Sequence, residues 1–205
     1  RILLAESIDE QDTRDEFGDS TFDTKTRSAR WENQISIGRH EYILGGELLM
    51  DEVDSTTDFD ETSRTNAAVF GQALLNFGPT DFQLSLRADD NEAFVREETG
   101  AIAMGFDMDL NHRVMVSYST SFRAPTFNDL YFPNFGNADL QPETAGSVEL
   151  GIGGNYARWF WDAAIYQTDA DDLIVFVFRD GRFAPFNVNE ARIRGVELSA
   201  GLELD

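Results

Sequence analysis

The sequence predicts an all-β fold, an antiparallel up-and-down meander of about ten long strands that crosses a bilayer as part of a transmembrane β-barrel. Three observations predict it. Apolar and polar residues alternate over long stretches. The alternating segments run about a dozen residues, whereas globular strands usually have about five or six and a tilted membrane strand needs roughly nine to eleven. The joints between segments are sorted by length, short at one end and long at the other. Membrane barrels sort them that way, with short periplasmic turns and long extracellular loops.

The alternation is explicit in three places. Between Ala29 and Ile37 the odd positions are Ala29, Trp31, Asn33, Ile35 and Ile37, against Arg30, Glu32, Gln34 and Ser36. Between Phe82 and Asp89 the split is Phe82, Leu84, Leu86 and Ala88 against Gln83, Ser85, Arg87 and Asp89. From Gly100 to Leu110 it is Ile102, Met104, Phe106, Met108 and Leu110 against Ala101, Ala103, Gly105, Asp107 and Asp109. Period two places one set on each face of a strand. The apolar set is expected against lipid and the charged, glycine-bearing set around a wet lumen. A β-sandwich gives the same alternation around a dry core. Segment length and turn asymmetry favour the barrel.

Strands are expected at 1–10, 24–37, 41–54, 63–77, 82–90, 98–110, 113–122, 143–153, 158–178 and 182–205. The tight joints are Gly38-Arg39-His40, Gly78-Pro79-Thr80-Asp81, Asn111-His112 and Gly154-Asn155-Tyr156-Ala157. The long joints are expected over 11–22, 55–62, 90–98 and 123–142. Arg179-Asp180-Gly181 departs from the long-loop rule, since Asp-Gly signals a short turn in a long hairpin. Segment 63–77 fits least well: Val69, Ala73, Leu75 and Phe77 suit the lipid side, while Phe70 and Leu74 break the period. Phe77, Phe82, Tyr156, Trp159 and Trp161 near strand ends suit an interfacial girdle.

Composition excludes several classes. A formal net charge of −22 argues against nucleic acid as a partner. The acids crowd the expected long loops: Asp9, Glu10, Asp12, Asp15, Glu16 and Asp19, then Asp51, Glu52, Asp54, Asp58, Asp60 and Glu61. With no cysteine there is neither a disulfide scaffold nor a thiolate metal site. His40 and His112 both fall in expected tight turns, where they read as solvated turn residues. No serine has a histidine and an acid at motif spacing, and Gly151, Gly153 and Gly154 lack the lysine of a phosphate-binding loop. The sequence therefore reads as a non-enzyme, and nothing in it calls for a cofactor.

Candidate binding residues lie in the segment 123–142. Asn128, Tyr131, Phe132, Phe135 and Asn137 put aromatic rings beside amides, a combination that grips large amphipathic ligands. The competing role is packing within the loop. Asp54, Asp58, Asp60 and Glu61 offer oxygen ligands for calcium but lack the glycine and spacing of an EF-hand loop.

The run Ser117-Tyr-Ser-Thr-Ser-Phe-Arg-Ala-Pro-Thr126 leads into Asn128-Asp-Leu-Tyr131, then Gly136-Asn-Ala-Asp-Leu-Gln-Pro-Glu143 and Glu149-Leu-Gly151. Asp171-Asp-Leu-Ile174, Asn187-Val-Asn189 and Ala191-Arg-Ile-Arg-Gly-Val-Glu197 follow, with the weaker Leu84-Ser-Leu-Arg-Ala-Asp89 upstream. In order and spacing this resembles the barrel of TonB-dependent outer-membrane receptors, and within them most the cobalamin receptors. The resemblance implies a barrel of roughly 22 strands with a plug domain in its lumen. It also implies a nutrient bound on the extracellular side, cobalamin or else a ferric siderophore, and an inner-membrane energy-coupling partner engaged through the plug. Residues 1–205 are then expected to be a central part of that barrel in the bacterial outer membrane, with the plug and the C-terminal strands absent from the sequence; Gly201-Leu-Glu-Leu-Asp205 lacks the aromatic end such barrels usually have. The outermost strands are expected to pair with the rest of the barrel or with another copy. The reading from a different class is an acidic surface or binding β protein without transport.

Overall fold

The structure is a computed structural model that describes residues 1–15, 18–179 and 181–203. The described residues form ten strands and one short helix. The strands are β1 (Ile2–Asp15), β2 (Gly18–Ile37), β3 (His40–Ser55), β4 (Ser63–Asn76) and β5 (Thr80–Asn91), then β6 (Phe94–Asp107), β7 (His112–Arg123), β8 (Glu143–Asn155), β9 (Trp159–Arg179) and β10 (Arg182–Leu202). The helix α1 (Phe127–Tyr131) lies between β7 and β8. All ten strands make one sheet in chain order, each antiparallel to the next.

Cross-strand partners share a face, so the register carries the side assignment from strand to strand. Trp31 faces Gly46, which faces Val69, which faces Ala88. Ala88 faces Glu98, and further along β5 the same face pairs Leu86, Leu84 and Phe82 with Gly100, Ile102 and Met104. From Met104 the partners run through Val116 and Leu150 to Ile165 and Val196. One face is therefore apolar from β2 to β10. The opposite face carries Arg30, Glu47, Arg87, Asp89, Ser117, Ser119 and Ser147. The apolar side chains do not close on a second sheet: Trp31, Ile35, Ile37, Ile102 and Phe106 are all exposed. That removes the sandwich and makes this face the outer, lipid-facing wall.

The register also resolves segment 63–77. Val69, Ala73 and Leu75 are outward, and Phe70 and Leu74 are inward. The Phe70 ring occupies the space that a Cβ on Gly45 would need. Arg30 lies over that ring at 4.5 Å and Arg87 at 5.9 Å. Phe70 thus has a reason to break the apolar period. It covers a bare glycine backbone and gives two guanidinium groups an aromatic face.

The four short joints gather at one rim. Gly38 (φ 63°) and Gly78 (φ 82°) take left-handed conformations that favour glycine there. His40 begins β3, where Nδ1 accepts from the Asn76 backbone N–H at 3.1 Å. Two details differ from the sequence expectation. β6 ends at Asp107, so Met108 and Leu110 lie in a four-residue turn instead of continuing the strand. Asp109 causes this: its Oδ1 accepts from the backbone N–H groups of Asn111 (2.8 Å) and His112 (2.9 Å), which closes the turn early. His112 starts β7, bonding Asp109 through Nδ1 (2.9 Å) and the Tyr156 hydroxyl through Nε2 (2.7 Å). Tyr156 stacks on Trp159 at 4.2 Å, and Phe77 meets Phe82 edge-on, so the expected aromatic girdle sits at this rim.

The opposite rim corrects two expected long loops. β1 and β2 stay paired as far as Asp15 and Gly18, and β5 and β6 as far as Asn91 and Phe94. Segments 11–22 and 90–98 are therefore mostly strand. Acidic residues have low strand propensity, which hides the strands in the sequence. Continuous ladder pairing overrides that propensity. At the second tip, Asn91 Oδ1 accepts from the Ala93 N–H and Glu92 Oε2 from the Thr65 N–H. Glu16 of the acidic run, Asp180 of the expected Asp-Gly turn, and the last residues Leu204 and Asp205 lie outside the described residues. The two long connections that remain are 56–62 and 124–142.

Candidate functional site

The connection 124–142 is built from its two ends. Pro125 stops β7, since proline offers no ladder N–H. Thr126 then caps α1: Oγ1 accepts from the Asp129 N–H, and Asp129 Oδ2 accepts from the Thr126 N–H and hydroxyl. Asn134 (φ 66°) turns the chain back, and the Asn137 N–H donates to the Asp129 carbonyl at 2.8 Å. Leu140 is 1% exposed, and Phe127, Leu130, Pro125 and Pro142 are also buried, so the connection carries a small core of its own.

That core is tied to its neighbours at named atoms. Arg64 on β4 donates from Nη1 to the Pro125 carbonyl (2.7 Å), from Nε to Asp51 (3.1 Å), and stacks on Phe127 at 4.8 Å. Asn137 Nδ2 donates to the Pro185 carbonyl of β10 at 3.0 Å. Asn187 binds Gln141 twice, accepting its N–H and donating to its carbonyl, and also donates to the Asp172 carbonyl at 2.7 Å. Glu143 accepts the Ile174 N–H at 2.8 Å and pairs with Arg123 at 3.1 Å. Asn187 and Asp172 (φ 57°) lie where the β9–β10 register shifts, so Asn187 satisfies backbone groups that a regular ladder would have paired. The motif residues scattered over 123–143, 171–174 and 187–189 are thus one knot in space.

An aromatic chain runs from the knot to the second long connection. Phe22 meets Phe59 at 5.7 Å, Phe59 meets Phe132 at 5.8 Å edge-on, and Phe132 meets Phe135 at 6.1 Å. Of the residues singled out by sequence, Asn128, Phe132 and Phe135 are exposed and Tyr131 is half-buried. Burial, followed by the nearby Glu61 carboxylate, holds the Tyr131 phenol above its ordinary range, so it stays a neutral hydrogen-bond donor. Asn137 is 8% exposed, and its amide is spent on Pro185 and Asp139. Asp54, Asp58, Asp60 and Glu61 are exposed, and among the described residues no three or more acid or histidine groups are placed to hold a metal ion. Arg64 and Phe59 were not legible as site residues. One polar period and one lone phenylalanine carry no signal until the sheet brings β4 and the connection 56–62 against α1.

A ten-stranded meander with an apolar outer wall, a polar inner wall and a braced loop at one rim defines the class of outer-membrane β-barrel receptors. Residues 6–205 match the family described as TonB dependent receptor-like, beta-barrel, and the chain belongs to that family. It is an outer-membrane protein. It is 33% identical over 209 residues to the vitamin B12 transporter BtuB of Photobacterium profundum, covering 98% of this chain and 34% of the relative. It is 29% identical over 196 residues to the vitamin B12 transporter BtuB of Vibrio cholerae, covering 95% and 32%. The chain therefore spans about a third of the length of these relatives. Among solved structures, the FrpB iron transporter of Neisseria meningitidis superposes with a TM-score of 0.80 at 10% identity, over 100% of this chain and 39% of that one. The siderophore receptor PirA of Pseudomonas aeruginosa gives 0.75 at 17% identity, over 96% and 44%. At those identities the likeness shows the fold alone.

Proposed function

We propose that residues 1–205 are a central run of strands in the barrel of an energy-coupled outer-membrane transporter, and that its nutrient is cobalamin. The observation that carries the reading is the 33% identity to a vitamin B12 transporter over nearly the whole chain. The geometry supports it: Tyr131, Phe132 and Phe135, with Asn128, form a braced aromatic and amide rim beside the lumen opening, suited to a large amphipathic ligand. In this reading the inward wall surrounds a plug domain of the same receptor. An inner-membrane protein supplies energy through that plug, and the outer edges of β1 and β10 pair with further strands of the barrel. The test is equilibrium binding to the complete receptor, using cyanocobalamin and ferric enterobactin as probes. Tight cyanocobalamin binding that weakens in a Phe132→Ser/Phe135→Ser variant supports the proposal. Binding of the ferric siderophore alone makes the protein a siderophore receptor, and binding of neither removes the nutrient assignment.

A further inference from the structure

One ladder of the sheet stops early. β6 pairs with β7 from Asp107–Arg113 only as far as Ala101–Ser119, whereas β5–β6 pairing reaches Asn91–Phe94 and β7–β8 pairing reaches Arg123–Glu143. Thr120 ends the ladder. Its Oγ1 accepts from the Gly100 N–H at 3.0 Å and its hydroxyl donates to the Gly100 carbonyl at 3.4 Å, so a side chain takes the place of a backbone partner. Above it the strands splay and leave a hollow of about 460 Å³. Outward Tyr118 and Phe122 line this hollow together with inward Glu97 and Thr99, so it reaches through the wall. Strand backbone without a ladder partner is tolerated there because the surroundings are polar and open to water, with the Glu98 side chain 72% exposed.

The early stop divides the upper wall into two panels, β1–β6 and β7–β10. The connection 124–142 belongs to the second. It is bound there by hydrogen bonds to backbone, from Asn137 to Pro185 and between Asn187 and Gln141, and Glu143 at its end accepts from Ile174. Its links to the first panel are side-chain clasps. Arg64 on β4 donates to the Pro125 carbonyl at 2.7 Å and lies over Phe127 at 4.8 Å, and Phe59 meets Phe132 at 5.8 Å. A third clasp, Phe94 against Phe122 at 5.8 Å, closes the top of the gap itself. Contacts of this kind are weak and separate one at a time, unlike a ladder, so the panels are joined above Ala101–Ser119 by the part of the wall that opens most easily. One clasp residue, Phe132, is also part of the aromatic rim, so a ligand seated on that ring competes with Phe59 for it.

We propose that the upper β6–β7 wall is a seam that parts, hinged at Ala101–Ser119, and widens the extracellular mouth for a large ligand. The parting follows from the ladder and the clasps alone; the admission of cobalamin through it rests on the function proposed above. The first test is hydrogen–deuterium exchange, read by mass spectrometry on the complete receptor in nanodiscs. The fastest amides in 94–100 are expected to exchange at least about tenfold faster than those in 101–107 on the same strand. Arg64→Gln should speed the seam by a further factor of roughly three or more and leave 101–107 unchanged. Heat-modifiable migration on gels reports folding, and if that variant misfolds, Phe122→Leu, which removes the third clasp, takes its place. Equal exchange in 94–100 and 101–107, or a seam indifferent to loss of its clasp, overturns the proposal. The second test locks the seam. Continuing the Ala101–Ser119 register sets Thr99 opposite Ser121, so a disulfide in Thr99→Cys/Ser121→Cys holds the strands together. Cyanocobalamin should associate with the oxidised receptor about tenfold more slowly than with the reduced one. Equal rates would overturn the seam's role in admission. Binding to neither form would remove the cobalamin assignment, and the exchange result would still decide whether the seam parts.

Discussion

Leu86 and Arg87 are neighbours on β5, and their side chains meet different surroundings. Leu86 is 75% exposed on the outward face, beside its partners Gly71 and Gly100. Arg87 is inward, bound to Glu47 at 2.8 Å and doubly to Asp89, which is 2% exposed. Asn66 completes the inward cluster by donating to Asp89 at 2.8 Å. The outward wall leaves apolar side chains bare because lipid covers them. The inward wall covers its backbone with rings and ion pairs, as the polar interior of a membrane barrel requires. In a soluble protein the same contrast would run the other way, with the bare apolar face buried.

Charge on the outward face breaks the contrast most strongly. Leu86→Arg should cost about 2–4 kcal/mol, as a cation near the bilayer midplane does. The measurement is the urea midpoint of the complete receptor refolding into lipid vesicles. An unchanged midpoint would mean that Leu86 does not face lipid.

Adjacent glycines sharpen it. An alanine Cβ at Gly45 would collide with the Phe70 ring and the Trp31 carbonyl, whereas at Gly46 the nearest atom is the Ala68 carbonyl oxygen at 3.5 Å. Gly45→Ala is expected to cost about 1–3 kcal/mol through overpacking. Gly46→Ala should be neutral or gain up to about 1 kcal/mol, since alanine loses less chain entropy in a strand. Equal effects in the same unfolding assay would refute the side assignment on β3.

Arg87→Met removes the donor to Asp89 and Glu47 but leaves the Asn66 bond in place. Arg87 is about a third exposed, so screening limits the loss to about 1–2 kcal/mol. The smallest effect concerns the turn at Asp109. Its carboxyl is held below the usual range, first by the Asn111 backbone N–H and then by His112. A depressed folded value means that the turn's stabilisation is present at neutral pH and is lost only as pH falls through and below the ordinary carboxylate range. Amide exchange at Asn111 and His112 should accelerate over that window in the wild type and be independent of pH there in Asp109→Asn, after correction for intrinsic rates.

Strand number, order and facing were legible because alternation survives along each strand and fixes every side chain once one is placed. Strand ends were not legible where acids crowd, as at Asp12 and Asp15, because cross-strand pairing decides them. The site was half legible. Its motif segments stood out by order and spacing, but their meeting at Asn187 depends on a register shift that no local pattern encodes. Arg64 reaches Pro125 across 61 residues, and only the assembled sheet brings them together.

The most direct test of the two-faced wall uses the absence of cysteine from this chain. Single cysteines at Val69 and Gln83, each carrying a nitroxide in the complete receptor in lipid vesicles, report collisions with oxygen in lipid and with a nickel chelate in water. Val69 is outward and Gln83 is inward, on neighbouring strands. The account predicts that oxygen dominates at Val69 and the nickel chelate at Gln83. The reverse order, or the same order at both positions, would contradict it.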